Sequence, residues 1–215
     1  MASNVNPDLV EFFMNHHTPG AIGLVGSSKG IYYAVRVAQK SLTKDGKVAK
    51  YNHCFLLDDL RWSHHGAGGA MAKAQYILES DYYIHPEHYQ IRCGAQENWI
   101  AKWCDTSIEH AAVVNFGLNA AQRKEVLATA LQLVDEQVKY TVAELIGTWL
   151  AIITLQLWKP NPFDAPHAMY CSSYARYCYR KAGRDFMGSS VSISNTAPEH
   201  IAQAAIAAGC LTVFS

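Results

Sequence analysis

Strand-like runs crowd the first half of this 215-residue chain, and helical periodicity crowds the second. A doubly wound sheet needs a helical crossover after each parallel strand, and that alternation is absent here. The order predicts one α+β domain over residues 1–215, a mainly antiparallel sheet packed against helices on one side. Apolar runs at 21–26, 51–57, 75–79, 89–93 and 111–116 are the expected strands, with 211–214 returning to the sheet. Alternation in 51–57 places His53, Phe55 and Leu57 on one face and Cys54 and Leu56 on the other. Residues 58–69 read as a polar, glycine-rich turn carrying His64 and His65. Residues 99–103 fit helix and strand equally.

The expected helices carry start and stop signals. Asn6 and Pro7 open a short helix that ends near Gly20, and Ser27 and Ser28 cap one whose inner stripe is Ile31, Val35, Ala38 and Leu42. Asn119 caps a helix through Glu136, with Val126, Leu127, Ala130, Leu131 and Val134 on its buried side. Thr196 and Glu199 form a capping box for a helix reaching Ala208. The apolar run 145–158 is too short for the ~20 residues that span a bilayer, so it reads as a buried core helix.

The stretch 169–183 is the most informative. After a loop holding Pro160, Pro162 and Pro166, helical spacing starts at Cys171 and aligns Tyr170, Tyr174, Tyr177, Cys178 and Ala182. Gly183 is placed to stop the helix, and Arg176, Arg180 and Lys181 suit its negative end. Cys171 therefore falls in the first turn, where free N–H groups and the positive dipole end favour a thiolate. Free cysteines are more commonly small buried hydrophobes, so a nucleophile reading requires a base elsewhere.

Composition narrows the alternatives. Eighteen basic residues balance eighteen acidic ones, which disfavours binding driven by nucleic-acid phosphates. Six dispersed cysteines without a CxxC pair support neither a disulfide framework nor a four-cysteine zinc site. The pairs His64–His65 and His85–His88 lack a helical H-E-x-x-H frame, and Pro86 breaks the second, so no metal or cofactor is expected. Neither a Walker A loop nor a G-x-S-x-G elbow occurs. The N-terminus has no basic and apolar secretory pattern, which leads to the expectation of synthesis in the cytoplasm without a signal peptide.

A cysteine nucleophile needs an imidazole to take its proton and a third group to orient that imidazole. His53 is the candidate base, because it interrupts an apolar strand where it must have a polar partner. Glu79, ending the neighbouring strand, is the candidate orienting group, whereas Asp58 and Asp59 read as turn residues.

With the histidine run YNHCFLL, the glutamate run YILES, the segment VKYTVAELIG and the helix MYCSSYARYCYRKAG in that order, the chain resembles the permuted papain-like cysteine hydrolases related to the NlpC peptidases, the YiiX-like and lecithin:retinol acyltransferase-like branch. The resemblance implies Cys171 as nucleophile, His53 as base and then acid, and Glu79 as third member. It implies an oxyanion role for Tyr140, while Tyr170 beside the nucleophile, and His64 in a loop longer than is usual in that family, are further oxyanion or substrate candidates. Cys54 and Asn52 depart from it, standing where a small or branched apolar residue and a serine are usual. The activity implied first is cleavage of peptidoglycan stem-peptide amides, with bacterial synthesis and delivery by a type VI-like system to a rival's periplasm. An immunity protein and a secretion carrier would then be partners. An acyltransferase or lipid esterase with an apolar cleft along 145–158 is the second expectation, and an inactive binding module the third.

Overall fold

The structure, a computed structural model, describes residues 5–63, 71–82, 93–140, 142–154, 156–159, 161 and 168–215, with the side chains of 142–145 left aside. His64, His65, the histidines at 85 and 88, the strand expected over 89–92 and the three loop prolines lie outside the described residues. The chain forms a six-stranded antiparallel sheet and six α-helices among the described residues. In chain order these are α1 (Pro7–Asn15), β1 (Ile22–Ser27), α2 (Gly30–Ala38), β2 (His53–Ser63), β3 (Ala72–Asp81), β4 (Gly94–Trp99), β5 (Ile108–Val114), α3 (Ala120–Asp135), α4 (Val142–Ile153), α5 (Cys171–Lys181), α6 (Pro198–Ala207) and β6 (Leu211–Val213). The strand order is β4-β3-β2-β1-β5-β6, and every pairing is antiparallel.

Alternation along the central strands divides the core in two. Ile22 and Leu24 of β1, Cys54 and Leu56 of β2 and Leu78 of β3 meet α3, α5 and α6 on one face. Val25, Phe55, Leu57 and Ile77 point the other way, toward Leu9, Phe12 and Phe13 of α1 and toward Ile100 and Trp103. Helices thus cover both faces, not one. The central strands are apolar on both sides, and each such side chain gains ~1.5–3 kcal/mol from burial. Gly23 lets the Phe55 ring lie across β1, since a Cβ there would strike the ring.

Several boundaries differ from the expectation. Residues 58–63 continue β2 instead of turning, after a register shift between Leu57 and Leu60. Strand β4, GAQENW, carries too little apolar pattern to read as a strand, yet its ladder to β3 is complete. Residues 100–103 form a 3₁₀ turn. Helix α1 stops at Asn15, and Lys29 rather than a serine is the N-cap of α2. Leu131 faces solvent while Leu133 is buried. Ala197, not Thr196, caps α6, with His200 Nδ1 accepting from its N–H and Gln39 Oε1 accepting from Glu199 N–H. Thr196 is drawn away because its hydroxyl accepts from buried Arg176.

The largest correction concerns the two helices expected to bury apolar stripes. In α2 the buried side chain is Arg36, while Ile31 and Val37 are exposed. In α4, Gly147, Thr148, Ala151 and Ile152 face inward, and Ile146, Trp149, Leu150 and Ile153 face out. These helices wall a groove.

Candidate functional site

Cys171 is the first residue of α5, and Tyr170 is its N-cap. Two sets of bonds hold this helix start in place. Met169 N–H donates to Lys139 O at 2.8 Å, and Ser80 Oγ donates to Met169 O. Tyr170 Oη and Ser172 Oγ both donate to Thr196 O at 2.6 Å. Further along, Tyr174 Oη donates to Ala130 O and Tyr179 Oη to Gly20 O, so both are buried with their hydroxyls satisfied, whereas Tyr177, expected on the apolar face, is only half-buried. The helix ends in a Schellman arrangement: Gly183 (φ 71°) and Arg184 N–H donate to Arg180 O and Tyr179 O.

His53 opens β2 beside this helix start. Its Nε2–H donates to Glu79 Oε2 at 2.7 Å, which leaves Nδ1 for the Cys171 thiol, to which the ring is hydrogen-bonded. The indole of Trp103 stacks on the imidazole with centroids 4.2 Å apart. Glu79 is wholly buried on β3 and saturated with donors. Besides His53 it accepts from Asn98 Nδ2 and Lys102 Nζ at 2.6 Å and from Trp103 Nε1 at 2.7 Å. Lys102, itself buried, also reaches Asp81 Oδ2 at 2.8 Å.

These neighbours set the charge states. Burial would raise the Glu79 pKa, but Lys102 and His53 outweigh it and hold the carboxyl far below its usual range. Burial would likewise discharge His53, yet the Cys171 thiolate, Glu79 and Asp81 push its pKa up to about 10. Cys171 is held well below an ordinary thiol, first by a hydrogen bond from the Cys54 thiol, then against burial by the His53 charge and the Cys54 backbone N–H. Burial, and then the neighbouring thiolate, push Cys54 the other way. Both shifts favour a Cys171 thiolate beside a His53 imidazolium. Cys178, two turns along, is a core thiol with its pKa raised by burial.

A groove of about 930 Å³ leads to this pair. Ile31, Val35 and Ala38 of α2 form one wall, and Ile146, Trp149 and Ile152 of α4 form the other. Cys171, His53, Asn52 and Tyr140 lie among its lining residues. Tyr140 is half-buried, and its pKa is raised well above normal by burial and by the nearby Cys171 charge. It thus stays protonated in the groove that Cys171 also lines. Tyr170 also lines the groove, but its hydroxyl is committed to Thr196 O and Ser194 O. Asn52 Oδ1 accepts from Ser27 N–H at 2.6 Å, which fixes the amide orientation and leaves Nδ2 without an acceptor among the described residues.

Of the residues singled out in the sequence, Cys171, His53, Glu79, Tyr140 and Tyr170 converge. His64 lies outside the described residues. Asn98, Lys102, Trp103 and Asp81 were missed; the available signal was a lysine inside the apolar run 99–103. No group of three or more possible metal ligands occurs among the described residues, nor does any helix long and apolar enough to cross a membrane. No model of a known protein family matches the chain, and no curated protein matches it.

Proposed function

We propose that this chain is a cysteine hydrolase or acyltransferase of permuted papain-like type, acting on esters or amides of long apolar acyl groups. The observation that carries the substrate class is the apolar groove that ends on Cys171. Its two helical walls offer aliphatic and indole surface to an acyl chain, and its volume suits a lipid-sized ligand. The charged pair at its end supports the reaction type.

In the proposed mechanism the Cys171 thiolate attacks the substrate carbonyl carbon. The Cys171 backbone N–H, in the first helical turn where no helical carbonyl precedes it, and the Tyr140 hydroxyl donate to the oxyanion. As the bond to the leaving oxygen or nitrogen breaks, the His53 imidazolium gives it a proton, leaving an acyl thioester on Cys171. Neutral His53 then takes a proton from water or an acceptor alcohol. Attack on the thioester releases the acid or new ester and restores the thiolate. Glu79 holds the imidazole in register through both steps.

A stem peptide, rich in carboxylates, would meet mostly apolar walls in this groove. One experiment compares the two substrate classes. Hydrolysis of p-nitrophenyl esters should rise in kcat/KM with chain length, by up to about fourfold for each methylene fully buried. Phospholipid vesicles should release fatty acid while purified sacculi stay intact. Release of peptide fragments from sacculi, with no dependence on ester chain length, would return the assignment to a peptidoglycan amidase.

A further inference from the structure

The outer surface beside the groove has a pattern of its own. On α4, Ile146, Trp149, Leu150 and Ile153 are 41–54% exposed and recur at i, i+3, i+4 and i+7. That spacing forms the stripe a surface helix normally turns to its core. Here the stripe is exposed along the rim of the groove, which Ile146, Trp149 and Ile153 also line, and Trp158, 59% exposed, follows a short way past the helix end. The outward side chains Ile31 and Val37 of α2 extend the apolar surface across the groove mouth. The segment 40–42 packs against α4 and leads into a basic stretch. Lys40, Lys44 and Lys47 are exposed there, and the one acid among them, Asp45, is paired with Lys47. The chain as a whole carries no net charge, so this basic edge is local.

We infer that the outer face of α4, with Trp158 and the Lys40–Lys47 edge, is a docking surface for an anionic lipid bilayer. Helices that lie in a membrane interface pair an apolar face, often bearing tryptophan, with lysines placed to meet anionic headgroups. This face has both halves side by side, and the groove opens within it. An acyl chain could then pass from bilayer to groove without crossing water. The inference rests on the surface alone and does not require Cys171 to react.

The test is co-sedimentation of the full chain with vesicles of phosphatidylcholine, or of phosphatidylcholine mixed with phosphatidylglycerol, at low and high salt. The wild-type chain should pellet with the anionic vesicles and less so as salt rises. The double variant Trp149→Ser/Ile153→Ser should bind at least about tenfold more weakly. Lys40→Glu/Lys44→Glu should lose about fivefold or more per lysine, on the anionic vesicles only. All four positions are exposed, so both variants should keep the wild-type urea midpoint, and a variant that does not is replaced by Ile146→Ser or Lys47→Glu. Failure to pellet would overturn the inference, as would binding unchanged in both variants or equal binding to neutral vesicles. So would a wild-type dimer in light scattering that dissociates in Trp149→Ser/Ile153→Ser, which would make the face a contact between copies. Vesicle binding by a Cys171→Ala chain without turnover would support docking even if the proposed chemistry fails.

Discussion

Replacing Glu79 with glutamine removes one charge from the centre of the buried network and leaves its shape nearly intact. His53 Nε2–H would then donate to a neutral amide oxygen, losing a charge-assisted bond made at 2.7 Å in a fully buried setting. Such bonds contribute ~1.5–3 kcal/mol, which corresponds to about 1–2 pKa units. The His53 pKa, about 10 in the native protein, should fall to about 8–9. Loss of the proton from His53 removes the acid that the leaving group needs, so the alkaline limb of activity should move down by the same interval. The assay is an NMR titration of the histidine ring nitrogens, with His53 assigned from the spectrum of His53→Ala, run beside the pH profile of kcat/KM. A wild-type His53 titrating near its ordinary value would rule out the charged pair, and a Glu79→Gln protein whose His53 titrates unchanged would rule out control by Glu79.

Other outcomes follow from the same geometry. Iodoacetamide at neutral pH should label Cys171 ahead of Cys54, Cys104 and Cys178, whose pKa values are raised by burial, and peptide mapping checks the order. Lys102→Met strands Glu79 and Asp81 without their buried cation, and should lower stability by ~3–5 kcal/mol in urea melts at neutral pH. The native pH dependence has a definite sign. The raised pKa of His53 contributes stability that is complete below its unfolded value and lost as pH rises through about 10. The lowered pKa values of Glu79 and Cys171 contribute stability present above their unfolded values and lost as pH falls toward their folded ones, so melts run against pH should show stability falling at both the acid and the alkaline extreme. Asn52→Ala removes a groove-lining amide and the acceptor of Ser27 N–H. It should cost ~1–3 kcal/mol of stability, measured by thermal melts.

Parts of this arrangement were legible in the sequence because their cause is local. Helix α5 begins at Cys171 and stops at Gly183, as spacing and glycine chemistry require. His53 could be picked out because an imidazole within an apolar strand needs a partner. Glu79 followed only as the end of the adjacent strand, since nothing local shows that four donors converge on it. Strand β4 escaped notice because the sheet, not its own polar sequence, makes it a strand. The 145–158 run misled for the opposite reason. An apolar run reports that water is unfavourable on both sides of a helix, but not whether the second side meets a core or an open groove. The cap of α6 was misread because Arg176, distant in sequence, takes up the Thr196 hydroxyl.

In the proposed reaction Cys171 carries an acyl group delivered through the apolar groove. Intact-mass and peptide-mapping spectrometry after brief incubation with a long-chain p-nitrophenyl ester and acid quench would detect that intermediate. One acyl mass should appear on Cys171, be absent in Cys171→Ala, and form markedly less from the acetyl ester. An unmodified Cys171 under conditions where ester is consumed, or acylation of another residue that persists in Cys171→Ala, would contradict it.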